Sequence, residues 1–206
     1  MTFGDSYTDI TQASFPLWPI YAADYGHLTF LDFARAGATC NQDLTPRTFP
    51  AVFQDEIPAF LNATENGKEF NAEETLFTLW IGTNDVGVGE LITGQAMPGV
   101  SIVNTSECAV DWVQTMYGHG ARNFFFQNMV PLDHVVLYSA DSYPNRYWTE
   151  QRNTTEWNVM MKEYVASGNE LTKLMLANLA PTLKDAHACL IPMVYLRTSS
   201  LTHRNI

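Results

Sequence analysis

The feature that most limits the fold is a continuous apolar run at Thr75–Ile81, T-L-F-T-L-W-I. A strand with one face in water alternates apolar and polar residues, and this run does not. We therefore expect a strand that is covered on both faces, as in a parallel sheet with helices on either side. The run stops at Gly82-Thr83-Asn84-Asp85, which predicts a loop at the carboxyl end of the strand.

Strand and helix patterns alternate along the rest of the chain. Strands are predicted at Thr2–Phe3, Leu28–Phe33 and Ala121–Val130, with a last one at Cys189–Leu196 in which Pro192 is out of place. Helices are predicted from near Pro16, at Gln54–Leu61 with an interruption at Pro58, at Ser101–Gly118, and at Glu150–Leu183. This alternation predicts an α/β fold, a three-layer α/β/α sandwich around a parallel sheet.

Length and charge narrow the function classes. The 206 residues suit a single domain, 1–206, and the net charge of −11 disfavours nucleic acid or an anionic membrane as a partner. No apolar run reaches the roughly 20 residues that a membrane span requires. Three cysteines, Cys40, Cys108 and Cys189, leave at least one unpaired and lack metal-ligand spacing. We therefore expect no metal, no cofactor and no membrane span.

Three Asn-x-Ser/Thr triplets point to secretion. They begin at Asn62, Asn104 and Asn153, and each is a candidate glycosylation site. Three such triplets in an acidic, lysine-poor chain favour a secreted glycoprotein. No signal peptide precedes the first predicted strand, so we expect the start of the secreted form to lie outside this sequence.

Small and polar residues follow three of the predicted strands: Gly4-Asp5-Ser6, Gly37, and Gly82 to Asp85. The carboxyl ends of parallel strands share one edge of the sheet, which is where ligands bind. Ser6 is placed there as a nucleophile if another group supplies a base. The N–H groups of Ser6 and Gly37 and the side-chain amide of Asn84 could hold an oxyanion. This set is typical of acyl transfer.

These motifs resemble those of the GDSL/SGNH serine hydrolases. The F-G-D-S-Y-T-D sequence at Phe3–Asp9 matches the first block of that family, Gly37 the second, and I-G-T-N-D at Ile81–Asp85 the third. Two further stretches, A-G-A-T-C-N at Ala36–Asn41 and M-V-P-L at Met129–Leu132, look most like fungal members near carbohydrate esterase family 16, often called acetylesterases.

The resemblance implies a flavodoxin-like fold and an esterase. Ser6 would be the nucleophile, and Ser6, Gly37 and Asn84 would form the oxyanion hole. The substrate would be an acetyl or other acyl ester of a carbohydrate or small alcohol. A nucleotide-binding protein with the same topology is disfavoured, because the loop from Gly4 to Asp9 carries two carboxylates and no phosphate cradle.

The base of the family is not found in this sequence. In the family, a late histidine follows an aspartate by three residues, but the only such pair here is Asp24 and His27, far too early. The remaining candidates also lack the family's spacing or position: Asp133-His134, Asp185 with His187, and His203 with Ser200. We assign none of them as the base.

The family's pattern also fades over residues 190–206. Shifted by two bases, the codons of Leu190–Leu196 can encode D-S-Y-G-L, a sequence typical of the family's last strand. We therefore expect incomplete first and last strands and an out-of-frame tail. The esterase activity would then be impaired, and the alternative is an inactive fragment or a sugar-binding pseudoenzyme.

Overall fold

The computed structural model describes residues 1–12, 14–67 and 69–191. Its strands form one parallel sheet in the order β1-β2-β3-β4, with β1 at Thr2–Gly4, β2 at Leu76–Trp80, β3 at Asn123–Gln127 and β4 at His187–Ile191. The helices are α1 (Trp18–Gly26), α2 (Ile57–Glu65), α3 (Thr83–Val86), α4 (Ile102–Gly118) and α5 (Thr154–Leu179). The predicted α/β class with a parallel sheet is confirmed.

Helices pack on both faces of the sheet. On one face the ring of Phe3 contacts Phe60 of α2 and Trp112 of α4, and all three residues are buried. On the other face Trp18 of α1 contacts Trp80, at the end of β2. Successive side chains of a strand point to opposite faces, so a strand covered on both faces has few polar residues. This explains the run in the sequence, in which buried Thr78 is the polar member of β2.

Most predicted elements are present, and the bounds of several are shorter than expected. The strands at Thr2–Phe3, Thr75–Ile81 and Ala121–Val130 are confirmed, as are the helices near Pro16, at Ser101–Gly118 and within Glu150–Leu183. The long helix ends at Leu179 and is followed by a 3-10 turn at Ala180–Thr182.

The strand predicted at Leu28–Phe33 is wrong in its extent. Residues 31–35 run parallel to β1 and share three backbone hydrogen bonds of 2.9 Å with it, but they form only one bridge, between Thr2 and Asp32. The Asp32 carboxylate also accepts hydrogen bonds from the backbone N–H groups of Ile10 and Ala34, so it binds the neighbouring loops.

The predicted helix interruption at Pro58 is also wrong. Pro58 lies in the first turn of α2, where the missing N–H of proline costs nothing, and π-helical Val52–Glu56 precedes it. The described part of the last strand runs from His187 to Ile191 and begins two residues before the predicted start. The rest of that predicted strand, the tail from residue 192 and His203 lie outside the described residues.

The three sequon asparagines lie in helices or at their ends. Asn62 is exposed in α2, Asn104 is in the first turn of α4, and Asn153 caps α5 by accepting a hydrogen bond from the N–H of Glu156. Glycosylation at these positions stays a prediction. Among the described helices, none is long and apolar enough to cross a membrane.

Candidate active site

Ser6 and Asn84 lie at the carboxyl ends of neighbouring strands. Gly4 of β1 pairs with Trp80 of β2, Ser6 follows two residues after Gly4, and Asn84 lies in the short helix α3. Both side chains line one open cavity of about 500 Å³, called the Ser6 cavity below. Pockets of this volume are typical of small-molecule sites. Ser6 itself is exposed to solvent.

The backbone at Gly4 turns the chain out of the sheet. Its φ is +133°, and a Cβ there would lie 2.1 Å from the carbonyl oxygen of Trp80. Only glycine fits this close approach. Because β1 ends in this way, Asp5 turns into the interior and Ser6 turns towards the cavity.

Carboxylates from three separate segments fix the loop that contains Gly37. Asp9 accepts a hydrogen bond from the N–H of Ala36 at 2.8 Å, Glu56 from that of Arg35 at 3.2 Å, and Asp85 from that of Cys40 at 2.9 Å. Glu56 also accepts one from the N–H of Gly4 at 2.9 Å. The end of β1 and the Gly37 loop therefore share one rigid, hydrogen-bonded frame.

The candidate oxyanion donors are the N–H groups that this frame leaves unused. Within the described residues, neither the Ser6 N–H nor the Gly37 N–H donates a hydrogen bond. The Asn84 amide donates one hydrogen to the carbonyl of Ala38 at 2.8 Å and keeps a second. Gly37 does not itself line the Ser6 cavity, and Asn84 connects it to the cavity through the adjoining Ala38.

Gly37 is the second position that requires glycine. Its φ is +85°, and a Cβ would lie 2.5 Å from the ring of Phe49. A side chain here would displace that ring and strain the backbone at the point where the unused N–H lies.

Three buried carboxyl groups, those of Asp5, Asp85 and Glu90, are close enough to the cavity-lining Arg47 for its charge to act on them. Asp5 accepts a hydrogen bond from the N–H of Tyr7, but burial raises its pKa to about 7. Burial likewise raises the pKa of Asp85 to about 6 and that of Glu90 to about 7. Raised pKa values of this kind concentrate at functional sites.

Sequence reasoning missed much of the cavity wall. Arg47, the segment at residues 135–138 and the segment at residues 145–147 line it, and none belongs to a short motif. Two of the carboxylates that fix the Gly37 loop are easier to predict from the sequence. Asp9 and Asp85 are part of the quoted motifs, and their role follows once the Gly37 loop is placed beside them.

Histidine is absent from the described lining of the Ser6 cavity. His27 and His119 follow α1 and α4, and His187 begins β4. His134 lies 3.7 Å from Asp133 in a 3-10 turn between two cavity-lining residues, but does not line the cavity itself. No base is therefore assigned.

A disulfide joins Cys40 of the Gly37 loop to Cys108 of α4, and Cys189 is an exposed free thiol. This pairing attaches the loop covalently to the helix layer. In the part of the chain that the structure describes, no cluster of three or more His, Cys, Asp or Glu residues could hold a metal ion.

Comparison with known proteins gives two relatives. The chain is similar to an acetylesterase of Hypocrea jecorina, with 26% identity over 83% of this chain and 61% of that protein. It is also similar to an acetylesterase of Thermothelomyces thermophilus, with 26% identity over 77% of this chain and 62% of that protein. The chain thus spans about three fifths of the length of these curated relatives. No family model matches the sequence.

Proposed function

We propose that this chain is a serine ester hydrolase of the GDSL/SGNH type, near carbohydrate esterase family 16. It would remove acetyl or other acyl groups from esters of carbohydrates or small alcohols. The observation that carries the proposal is that exposed Ser6 and Asn84 line one cavity, while the N–H groups of Ser6 and Gly37 have no partner among the described residues. The similarity to two acetylesterases supports the same class of reaction.

The proposed reaction follows from these groups. The Ser6 hydroxyl oxygen attacks the ester carbonyl carbon and gives up its proton to a base. The negative oxygen that forms is held by the N–H groups of Ser6 and Gly37 and by the free amide hydrogen of Asn84. The alcohol leaves with a proton, and water then hydrolyses the acyl-serine to a carboxylic acid and free Ser6.

The mechanism requires a base that accepts the proton of Ser6. None of the four histidines in the described part of the chain lines the cavity, so Ser6 has no identified proton acceptor. An oxyanion hole and substrate binding alone leave a residual acceleration of about 10³ to 10⁴ over water. We therefore propose a slow esterase, and the alternative of an inactive or sugar-binding protein rests on the same observation.

The test is hydrolysis of p-nitrophenyl acetate by the wild-type chain, by Ser6→Ala, and by Ser14→Ala as a control. Ser14 is exposed and does not line the cavity. We expect slow turnover in the wild type and in Ser14→Ala, and none above background in Ser6→Ala. Imidazole hydrolyses p-nitrophenyl acetate by itself, so its effect is read as the difference in rate between the wild type and Ser6→Ala at each imidazole concentration. We expect that difference to increase, because imidazole can supply the base that no described histidine places in the Ser6 cavity. Equal rates in all three proteins would favour the non-catalytic alternative.

We also propose that the protein is a secreted glycoprotein. The Cys40–Cys108 disulfide supports this, because disulfides persist mainly in oxidising compartments. A shift in electrophoretic mobility after glycosidase treatment of protein secreted by a eukaryotic host would test it, and variants at Asn62, Asn104 and Asn153 would assign the sites. Intracellular retention without glycans would contradict it.

A further inference from the structure

We propose that the Ser6 cavity selects esters that carry a carboxylate group, and that Arg47 and Arg146 bind this carboxylate. The inference rests on the proposed esterase function. It adds the charge of the substrate, which neither the oxyanion donors nor the similarity to acetylesterases assigns.

The charged side chains that line the Ser6 cavity are positive, whereas the chain as a whole has a net negative charge. The sequence contains 22 acidic and 11 basic residues. Among the described lining residues, however, two are arginines and none is Asp or Glu. The charged groups that line the cavity together with Ser6 are therefore guanidinium groups, in a protein whose net negative charge otherwise repels anions.

Arg47 is available for a ligand. Its side chain is half-buried, and in the described part of the chain it forms no hydrogen bond and no ion pair. Its guanidinium carbon lies 5.0 Å from the centre of the Phe49 ring, which is an attractive cation–π distance. The same ring packs against Gly37. Phe49 thus holds an unpaired cation beside a candidate oxyanion donor.

Arg146 reaches the cavity from a different segment. It is exposed, donates a hydrogen bond to the Tyr147 hydroxyl, and lies 4.6 Å from the centre of that ring. Its only described polar partner is therefore a neutral group. Two guanidiniums on separate segments can bind one carboxylate with several charge-assisted hydrogen bonds.

The buried carboxyl groups near Arg47 do not cancel this charge at mildly acidic pH. Asp5, Asp85 and Glu90 are near enough to Arg47 for its charge to lower their pKa values, but none of them lines the cavity. Burial outweighs that effect and raises all three pKa values to between about 6 and 7, so the groups are mostly neutral at pH 5.5. The fraction of these carboxyl groups that is ionised lowers the positive potential of the cavity. Repulsion by that fraction acts twice as strongly on a doubly charged phosphate as on a singly charged carboxylate, so we expect a carboxylate ligand.

The carboxylate could belong to either side of the ester bond. On the alcohol side it would be part of a uronic acid sugar, and on the acyl side it would be the free end of a dicarboxylic acid. Both sources present the same group to the arginines, so the experiment includes a matched pair of probes for each.

The experiment measures equilibrium binding at pH 5.5 to the wild-type chain by tryptophan fluorescence. One pair of probes is methyl glucuronoside and methyl glucoside, and the other is monoethyl succinate and diethyl succinate. We expect the anionic member of at least one pair to bind about tenfold more tightly. Preference in the sugar pair assigns the carboxylate to the alcohol side, and preference in the succinate pair assigns it to the acyl side.

Variants then identify the residues. Arg47→Gln should reduce the preference to about twofold or less, and Arg146→Gln should reduce it in part. Arg47→Lys should retain more of it than Arg47→Gln, because the charge remains. Lys173→Gln is the matched control, since it removes an exposed positive charge on α5 outside the cavity. Thermal unfolding of each variant checks the fold, and exposed Arg146 provides a second test if Arg47→Gln does not fold.

Equal affinities within both pairs would overturn the inference, as would a preference that survives both glutamine variants. An equal loss of neutral and anionic binding in Arg47→Gln would also overturn it, because it would show a role in shape alone. The titration does not require turnover. An anion preference without Ser6-dependent hydrolysis would contradict the proposed function only, and hydrolysis without the preference would contradict this inference only.

Discussion

At the scale of single residues, the proposed function gives Asn84 two tasks. One amide hydrogen binds the carbonyl of Ala38, and the other, which has no partner among the described residues, is the proposed oxyanion donor in the Ser6 cavity. We expect Asn84→Ala to lower kcat on acetyl esters by about 10² to 10³, because a lost oxyanion donor acts on the transition state. The KM should change little. Asn66→Ala, at an exposed turn, is the control. A raised KM with an unchanged kcat would instead assign Asn84 to ground-state binding.

Glu90 predicts how stability depends on pH. Neither of its buried carboxyl oxygens has a hydrogen-bond partner among the described residues, and burial raises its pKa from 4.5 to about 7. Between these values the folded state binds more protons than the unfolded state, so the free energy of unfolding falls as pH rises. We expect this group to account for about 1–2 kcal/mol between pH 4.5 and 8, less than the full shift would give, because nearby solvent screens part of the effect.

Glu90→Gln should remove that part of the pH dependence, since the amide does not ionise. Urea unfolding at pH 5 and pH 8 measures it, with Glu74→Gln at an exposed carboxyl as the control. The decrease from pH 5 to pH 8 should be smaller in Glu90→Gln than in the wild type. The same decrease in both would show that Glu90 is already ionised in the folded state at pH 5.

Single residues also show how far sequence reasoning reaches. The placement of Ser6 and Asn84 in one cavity follows from two motifs at adjacent strand ends, because parallel strands align their carboxyl ends. Arg47 could not be found in this way. Its position depends on the packing of Phe49 against Gly37, which is a tertiary contact without a sequence pattern.

At the scale of elements, the Gly37 loop depends on its disulfide. Cys40 and Cys108 are 68 positions apart, and closing a loop of that length stabilises the fold by about 4 kcal/mol in the chain-entropy account. We expect the double variant Cys40→Ala and Cys108→Ala to lower the free energy of unfolding by about 2–4 kcal/mol. Cys189→Ser should have no such effect, because that thiol is exposed and unpaired. Equal stability of all three proteins in denaturant titrations would contradict the pairing.

Strands and helices are predictable where the hydrophobic pattern of the sequence matches the faces that the fold buries. β2 is marked by an apolar run of strand length and α4 by apolar residues at helical spacing, and both elements are located from the sequence. The segment at Leu28–Phe33 has the composition of a strand, but only its end, residues 31–33, is hydrogen-bonded to β1, through a single bridge at Asp32. The disulfide was also out of reach, because three cysteines allow several pairings and the sequence alone does not choose between them.

At the scale of the whole molecule, the sheet is unevenly covered. In the described residues β4 lies at one end of the sheet with exposed side chains, and apolar Ile191 and Leu76 are 39% and 43% exposed. Exposed strand edges and apolar surface promote association between chains. We expect the isolated chain to bind hydrophobic dyes and to aggregate, and Ile191→Lys to reduce both effects. Light scattering that shows a stable monomer, with a cooperative melt above about 55 °C, would contradict this expectation.

The central claim is that Ser6 is the nucleophile of an ester hydrolase, and covalent labelling tests it most directly. A fluorophosphonate reacts with an activated serine and leaves a stable adduct, which peptide mass spectrometry locates. We expect one adduct, on Ser6, that forms slowly, forms faster with added imidazole, and is lost in Ser6→Ala but not in Ser14→Ala. An adduct on another serine, or labelling that is unchanged in Ser6→Ala, would contradict the claim.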